Sequence, residues 1–231
     1  MDENAEFYII DFDRTLADSD KLIEVFIEIA DKYFHISSDQ IRKVDAEVKQ
    51  RGDTFLLATY VRDHLSSENR LDDWQGMEKM FIHESRALNY QLDGANELLE
   101  WMDENNKRYG ILTYGDSLWQ RLKLTAAGFN HVHHIIMDHK EKGRFISGWR
   151  QQDGTFNIPK ELGGGVAERV IMIDDKAVSF LDYPDRPSHG YWVLDSGHEL
   201  LSQKGTVPDN VTRYRNLNEV VQKLNEDIDK P

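Results

Sequence analysis

The chain has no cysteine among its 231 residues. That excludes disulfides, thiolate metal sites and a cysteine nucleophile, and it agrees with a reducing compartment. Long apolar runs are missing as well, since nothing approaches the roughly 20 consecutive apolar residues that a bilayer span requires. Positive charge is scarce: 28 Lys+Arg stand against 42 Asp+Glu, a formal net charge of −14. Such an excess repels the phosphate backbone of nucleic acid and an anionic membrane unless a basic patch is segregated on one face. The densest basic segment, HKEKGR, is short. The opening MDENAEFYII carries acids where an export signal carries positive charge. The expectation is a cytoplasmic protein with no nucleic-acid or membrane partner.

What is present is the composition of a globular protein, 39% hydrophobic and 30% charged. EFYIIDFD reads as a short buried strand, because β-branched and aromatic residues run together and end in acids. RYGILTY (108–114), HVHHIIMD (131–138), ERVIMIDD (168–175) and HGYWVLDS (189–196) resemble it, with VTRYRNL a weaker sixth. Helical patterns separate these runs, which predicts an α/β protein with a Rossmann-like parallel sheet covered on both faces.

Almost a hundred residues without a strand lie between the first two runs, too many for one crossover helix. An inserted helical module is the simplest account. Its first helix, KLIEVFIEIADKYF, places Leu22, Phe26, Ile29 and Tyr33 on one stripe and Ile23, Ile27, Ala30 and Phe34 on the next. A second helix is predicted after Asp53 as N-cap, and a third carries Trp74, Met77 and Phe81. A helix from about Asp93 to Asn105 leads back to the sheet. GRFISGWRQQDGTFNIP alternates around an Asp153-Gly154 turn signal and predicts a β-hairpin. The ending predicts an amphipathic helix docked through Leu217, Val220, Val221 and Leu224.

Chemistry concentrates at strand ends, where parallel sheets assemble active sites. Asp11 and Asp13 follow the first strand and can project to one side if the extended conformation persists. Asp174 and Asp175 close another apolar strand. Four carboxylates brought to one edge repel one another, and an oxygen-liking cation such as Mg²⁺ relieves them; a solvated acidic loop is the plain alternative. Thr113 ends a third strand with a hydroxyl, beside backbone N–H groups at Tyr114 and Gly115 that can hold phosphate oxygens. Lys160, at a short helix after Pro159, can supply a positive charge. Taken alone, Thr113 is a strand-end residue and Lys160 a solvated lysine. His131, His133, His134 and His139 are expected at the surface, and Gly163 to Gly165 at a helix end.

The sequence Asp11-Phe12-Asp13-Arg14-Thr15-Leu16 resembles the Asp-x-Asp-x-Thr-Leu signature of the haloacid dehalogenase superfamily. Thr113 is similar to its second motif, Lys160 to its third, and Asp174 and Asp175 to its acidic fourth. PKELGGGVAERVIMIDDKAVSF also resembles the corresponding stretch of the capless phosphatases that act on the RNA polymerase tail, which favours Lys160 over Lys140 or Lys142. The resemblance covers the sheet and implies a core of residues 1–16 and 93–231 carrying a helical cap at 17–92. Arg14 stands where a small residue is common and is expected near the mouth of the site. Ser179 replaces a further aspartate.

This resemblance implies an Mg²⁺-dependent phosphatase acting on a small phosphorylated metabolite through an aspartyl-phosphate on Asp11. Asp13 would protonate the leaving oxygen and then activate water. The metal would be held by the Asp11 carboxylate, the Asp13 backbone carbonyl and Asp175, with Asp174 a ligand or one step removed. Thr113, Tyr114, Gly115, Arg14 and Lys160 would bind phosphate or substrate. Phosphoryl transfer of the phosphomutase kind, or a non-catalytic metal-binding interaction protein, are the alternatives.

Overall fold

The computed structural model describes residues 5–194 and 206–228. Its centre is a six-stranded, all-parallel sheet in the order β3-β2-β1-β6-β7-β8. The strands are β1 (Glu6–Ile10), β2 (Tyr109–Tyr114), β3 (His134–Met137), β6 (Arg169–Asp174), β7 (His189–Val193) and β8 (Val211–Tyr214). Each corresponds to one of the six apolar runs. The Asp195-Ser196 end of the fifth run lies outside the described residues.

Alternation along each strand splits the core in two. Tyr8, Ile10, Ile171 and Ile173 face one buried cluster; Phe7, Ile9, Val170 and Met172 face the other. The first cluster continues into α1 (Ser19–Phe34), α3 (Leu57–Ser67) and α4 (Leu71–Arg86), and into α5 (Ala95–Glu104), α6 (Ser117–Ala126) and α8 (Leu217–Ile228). The second lies under α7 (Lys142–Ser147) and a two-stranded ribbon of β4 (Phe156–Asn157) and β5 (Val166–Ala167). No helix among the described residues is long and apolar enough to cross a membrane.

The helical insertion leaves and returns at one place. Leu92 N–H donates to Leu16 O at 3.1 Å and Asp18 N–H to Tyr90 O at 2.6 Å, so the two connecting segments lie side by side. In α1, Leu22, Phe26, Ile27, Ile29, Ala30 and Phe34 are buried, whereas Tyr33 at the edge of its stripe is half exposed. Phe26, Phe81 of α4 and Trp119 of α6 form a ring triad with centroids 4.8 to 5.4 Å apart. Such pairs add to the area each ring buries. Phe81→Ala is therefore expected to cost about 3–5 kcal/mol, read as a lower urea midpoint. An unchanged midpoint would show that this triad does not join the insertion to α6.

Three elements depart from the sequence reading. A helix α2 (Ser38–Gln50) was not anticipated; its stripe is thin, Ile41, Val44 and Val48 in an otherwise polar segment, and of these only Ile41 is fully buried. Helix α3 starts after Leu56 rather than with Asp53 as cap, and no side chain caps it. The expected hairpin is shorter than the alternating run: Gln151 N–H donates to Thr155 O at 2.8 Å and Asn157 N–H to Trp149 O at 2.9 Å, with one antiparallel bridge between Arg150 and Phe156 across the Asp153-Gly154 turn. The segment before it, Lys142–Ser147, is the helix α7, and Phe156–Asn157 pairs on its other side with Val166–Ala167.

Candidate active site

The chain leaves β1 into a tight turn. Leu16 and Ala17 N–H both donate to Phe12 O at 3.0 Å, and Arg14 takes a left-handed conformation with φ 61°. The turn brings Thr15 Oγ1 within 3.3 Å of Asp11 Oδ2 and holds both acids of the first motif at the carboxyl edge of the sheet.

Asp11 is buried and meets a buried lysine. Lys142 Nζ donates to Asp11 Oδ1 at 2.5 Å and to Asp174 Oδ2 at 2.6 Å, tying β1 to β6. Lys142 is the first residue of α7, five positions past β3. Gly143 lets α7 seat there, because a Cβ on it would fall 2.5 Å from Leu181 O. Burial alone would lower the Lys142 pKa, but the two carboxylates outweigh it and raise it.

Asp11, Asp174 and Asp175 each offer one oxygen, all within 4.8 Å of one another. Burial, and then mutual repulsion, pushes Asp11 up and Asp175 well up. Both Asp174 oxygens are engaged, one by Lys142 and one by Lys176 N–H at 2.9 Å. Asp175 Oδ1 is buried without a hydrogen-bond partner. A buried carboxylate oxygen with no hydrogen bond, only Lys176 Nζ at 3.6 Å, beside two further carboxylates is a donor set that fits a hard divalent cation. Asp13's carboxylate is outside this group, so its backbone carbonyl is the atom it can contribute.

Thr113 Oγ1 is likewise buried and unpartnered at the end of β2, lining the same pocket as Asp11, Asp13 and Lys142. It is free to meet an incoming acceptor. Tyr114 lines the pocket too, and its hydroxyl lies 2.7 Å from Thr54 Oγ1 of the insertion. Gly115 N–H is spent on Met137 O at 3.1 Å, extending the sheet, so it does not hold phosphate as expected. What Gly115 provides is room: at φ 136° it carries no Cβ where the Gln120 amide nitrogen lies 3.0 Å away.

Asp13 sits in a cradle of three donors. Ser19 Oγ and Lys123 Nζ both donate to Oδ1, and Gln120 Nε2 donates to Oδ2 at 2.6 Å. Burial would raise the Asp13 pKa, but the Lys123 charge and these hydrogen bonds prevail and hold it down at about 2.

Two expected site residues lie elsewhere. Lys160 is exposed on a single 3-10 turn (Lys160–Leu162) that precedes β6, beside the start of β2. It is therefore near the amino edge of the sheet, a strand's length, roughly 20 Å, from Asp174. Arg14 turns away from the Asp11 pocket, pairs with Asp20 at 3.1 Å, and lines a neighbouring cavity of about 470 Å³ with Lys21 and Arg215. Ser19, Gln120 and Lys123 escaped the sequence reading altogether. Their one signal is spacing: Gln120 and Lys123 are three apart on the helix after Thr113, hence on one face.

A family model for haloacid dehalogenase-like hydrolases matches residues 8–144. A solved structure described as a haloacid dehalogenase-like hydrolase of Burkholderia xenovorans is similar with a TM-score of 0.63 and 17% identity, over 96% of this chain and 98% of that one. A HAD phosphatase of Thermococcus onnurineus gives 0.59 and 18%, over 95% and 97%. A protein of Thermotoga maritima described as a beta-phosphoglucomutase gives 0.55 and 15%, over 96% and 99%. Identities this low establish a shared fold. No curated protein matches. The family match spans more than half the chain and takes in Asp11, Asp13, Thr113 and Lys142, and the chain belongs to the haloacid dehalogenase-like hydrolases.

Proposed function

We propose that the protein is a phosphatase that hydrolyses a small phosphorylated metabolite, with Asp11 as nucleophile, Mg²⁺ as the divalent cation, and residues 17–92 as a cap over a core of 1–16 and 93–231. The observation that carries this reading is the convergence of Asp11, Asp13, Thr113 and Lys142 on one pocket, from three segments far apart in sequence.

Asp11 attacks phosphorus as the bond to the leaving oxygen breaks, and Asp13, ionised in its resting cradle, relays to that oxygen the proton carried by the phosphate ester monoanion. Asp13 then takes a proton from water, which attacks the aspartyl-phosphate and restores Asp11. Lys142 and the Thr113 hydroxyl hold the phosphoryl oxygens as charge shifts. A divalent cation held by Asp11, Asp175 and the Asp13 carbonyl would supply positive charge against the nucleophile and the phosphoryl group.

The pocket offers only about 20 Å³, room for a single water. Tyr114, which lines it, meets Thr54 of the insertion at 2.7 Å. Admission of a phosphate ester thus requires the insertion to shift, and what fits beneath it afterwards is small. A panel of phosphorylated metabolites should include at least one that releases inorganic phosphate with Mg²⁺. EDTA should silence that activity, and Ca²⁺ should restore it poorly because its looser shell misplaces the nucleophile. Full activity in chelator would remove the cation from the reading. Faster release from a folded phosphoprotein than from any metabolite would remove the size limit, and phosphate reappearing on a second hydroxyl would make the enzyme a transferase.

A further inference from the structure

Lys123 carries a charge into the protein interior with only 3% of its side chain exposed. Its ammonium lies 5.7 Å from the Phe12 ring centroid and 5.5 Å from that of Trp119, and its ion-pair partner is Asp13. Gln120, one turn earlier on α6, spends its amide nitrogen on two acceptors: Asp13 Oδ2 at 2.6 Å and Tyr114 O at 2.7 Å. Both neighbours accept, so the amide orientation is fixed. Its other atom, Oε1, is left buried without a partner. A helix evolving for packing alone would place apolar side chains at both positions, since a buried charge and an orphaned amide oxygen each oppose folding. Both features instead serve one carboxylate.

We propose that Lys123 and Gln120 are positioning residues that fix the Asp13 carboxylate against the leaving-group oxygen, so that they affect catalysis only through Asp13. This rests on the reading of Asp13 as the group that protonates the leaving oxygen. Two donors on one rigid turn of α6 and a third, Ser19, at the start of α1 hold both Asp13 oxygens. The side chain therefore loses its rotational freedom before substrate arrives, which is where orientation contributes to rate. Each donor can be removed without touching Asp11, Thr113 or Lys142.

The test compares kcat/KM for two esters, because that ratio reports only the steps through leaving-group departure. An alkyl phosphate leaves as a basic alkoxide and needs the proton, whereas 2,4-dinitrophenyl phosphate does not. Lys123→Met should lower kcat/KM for the alkyl ester by roughly two powers of ten, the scale of general acid catalysis, and for the dinitrophenyl ester by less than about fivefold. Gln120→Met should show the same split at smaller size while keeping the ion pair, which covers the case that the lysine variant folds poorly. Adding Lys123→Met to Asp13→Asn should cost nothing further. Equal losses on both esters, no loss, or a full additive loss in the double variant would overturn the inference alone. A wild type inert toward both esters would overturn the phosphatase reading, and this inference with it.

Discussion

Asp11→Asn is expected to bring turnover of the best phosphate ester below about one ten-thousandth of wild type, the scale seen when a covalent nucleophile is removed. The amide keeps the shape of the carboxylate but lacks the charge that attacks phosphorus. It also gives up part of the acidic group that faces a divalent cation, since Asp11 shares with Asp174 and Asp175 a cluster of oxygens within 4.8 Å. Lys142 retains Asp174 as a partner at 2.6 Å, so the fold should persist. Single-turnover measurements with labelled substrate are the check. Wild type should place phosphate on the protein transiently, and the variant should not. More than about a hundredth of wild-type activity in the variant would assign the nucleophile to another residue.

Lys142→Ala should lose about two to three powers of ten in kcat/KM, as expected for one preorganised charge aimed at a developing negative charge. Lys160→Ala should stay within about twofold, because an exposed lysine far from the reacting group contributes little through water. The first variant also strips a buried ammonium from between Asp11 and Asp174, and breaking a buried ion pair in this way costs about 3–5 kcal/mol. Activity should thus be measured well below the variant's own unfolding temperature. Raising the divalent cation concentration should recover part of the stability, because a cation can take over the neutralisation of the acidic cluster. The opposite ordering of the two lysines would mean that the chain reaches its phosphate site from the Lys160 side.

The six strands were legible because β-branched and aromatic runs of four to six residues have few alternatives, and their acidic ends located Asp11, Asp13, Asp174 and Asp175. The lysine was misjudged for a topological reason. Local likeness around PKELGG favoured Lys160, but that residue precedes β6 and so enters the sheet at the edge opposite Asp174. Lys142 follows β3 and so sits at the carboxyl edge with the acids. Strand direction, already implied by the parallel sheet, contained the answer. Helix α2 carries a helical spacing of Ile41, Val44 and Val48 that is legible, but the stripe is thin among charged residues and Ile41 alone is fully buried. GRFIS was read as a strand because five residues with two apolar positions suit either period, and packing against the 181–183 segment decided for the helix. The cradle around Asp13 could not be read from residue types, because Gln120 and Lys123 look like the polar side of any surface helix until α6 is docked.

The paired connectors of the helical insertion bear on how the chain finds its sheet. Tyr8 of β1 registers with Tyr109 of β2, across about a hundred residues, and parallel pairing over such a span carries a heavy closure cost. Once Leu16 and Asp18 are bonded to Leu92 and Tyr90, the intervening helices are bypassed and the two strands are separated by an effective path of about 25 residues. Two halvings of the loop relieve about 1 kcal/mol of chain entropy at the moment β1 meets β2. The residues that close the insertion on itself thereby shorten the conformational search for the strand pair on which the nucleophile is mounted.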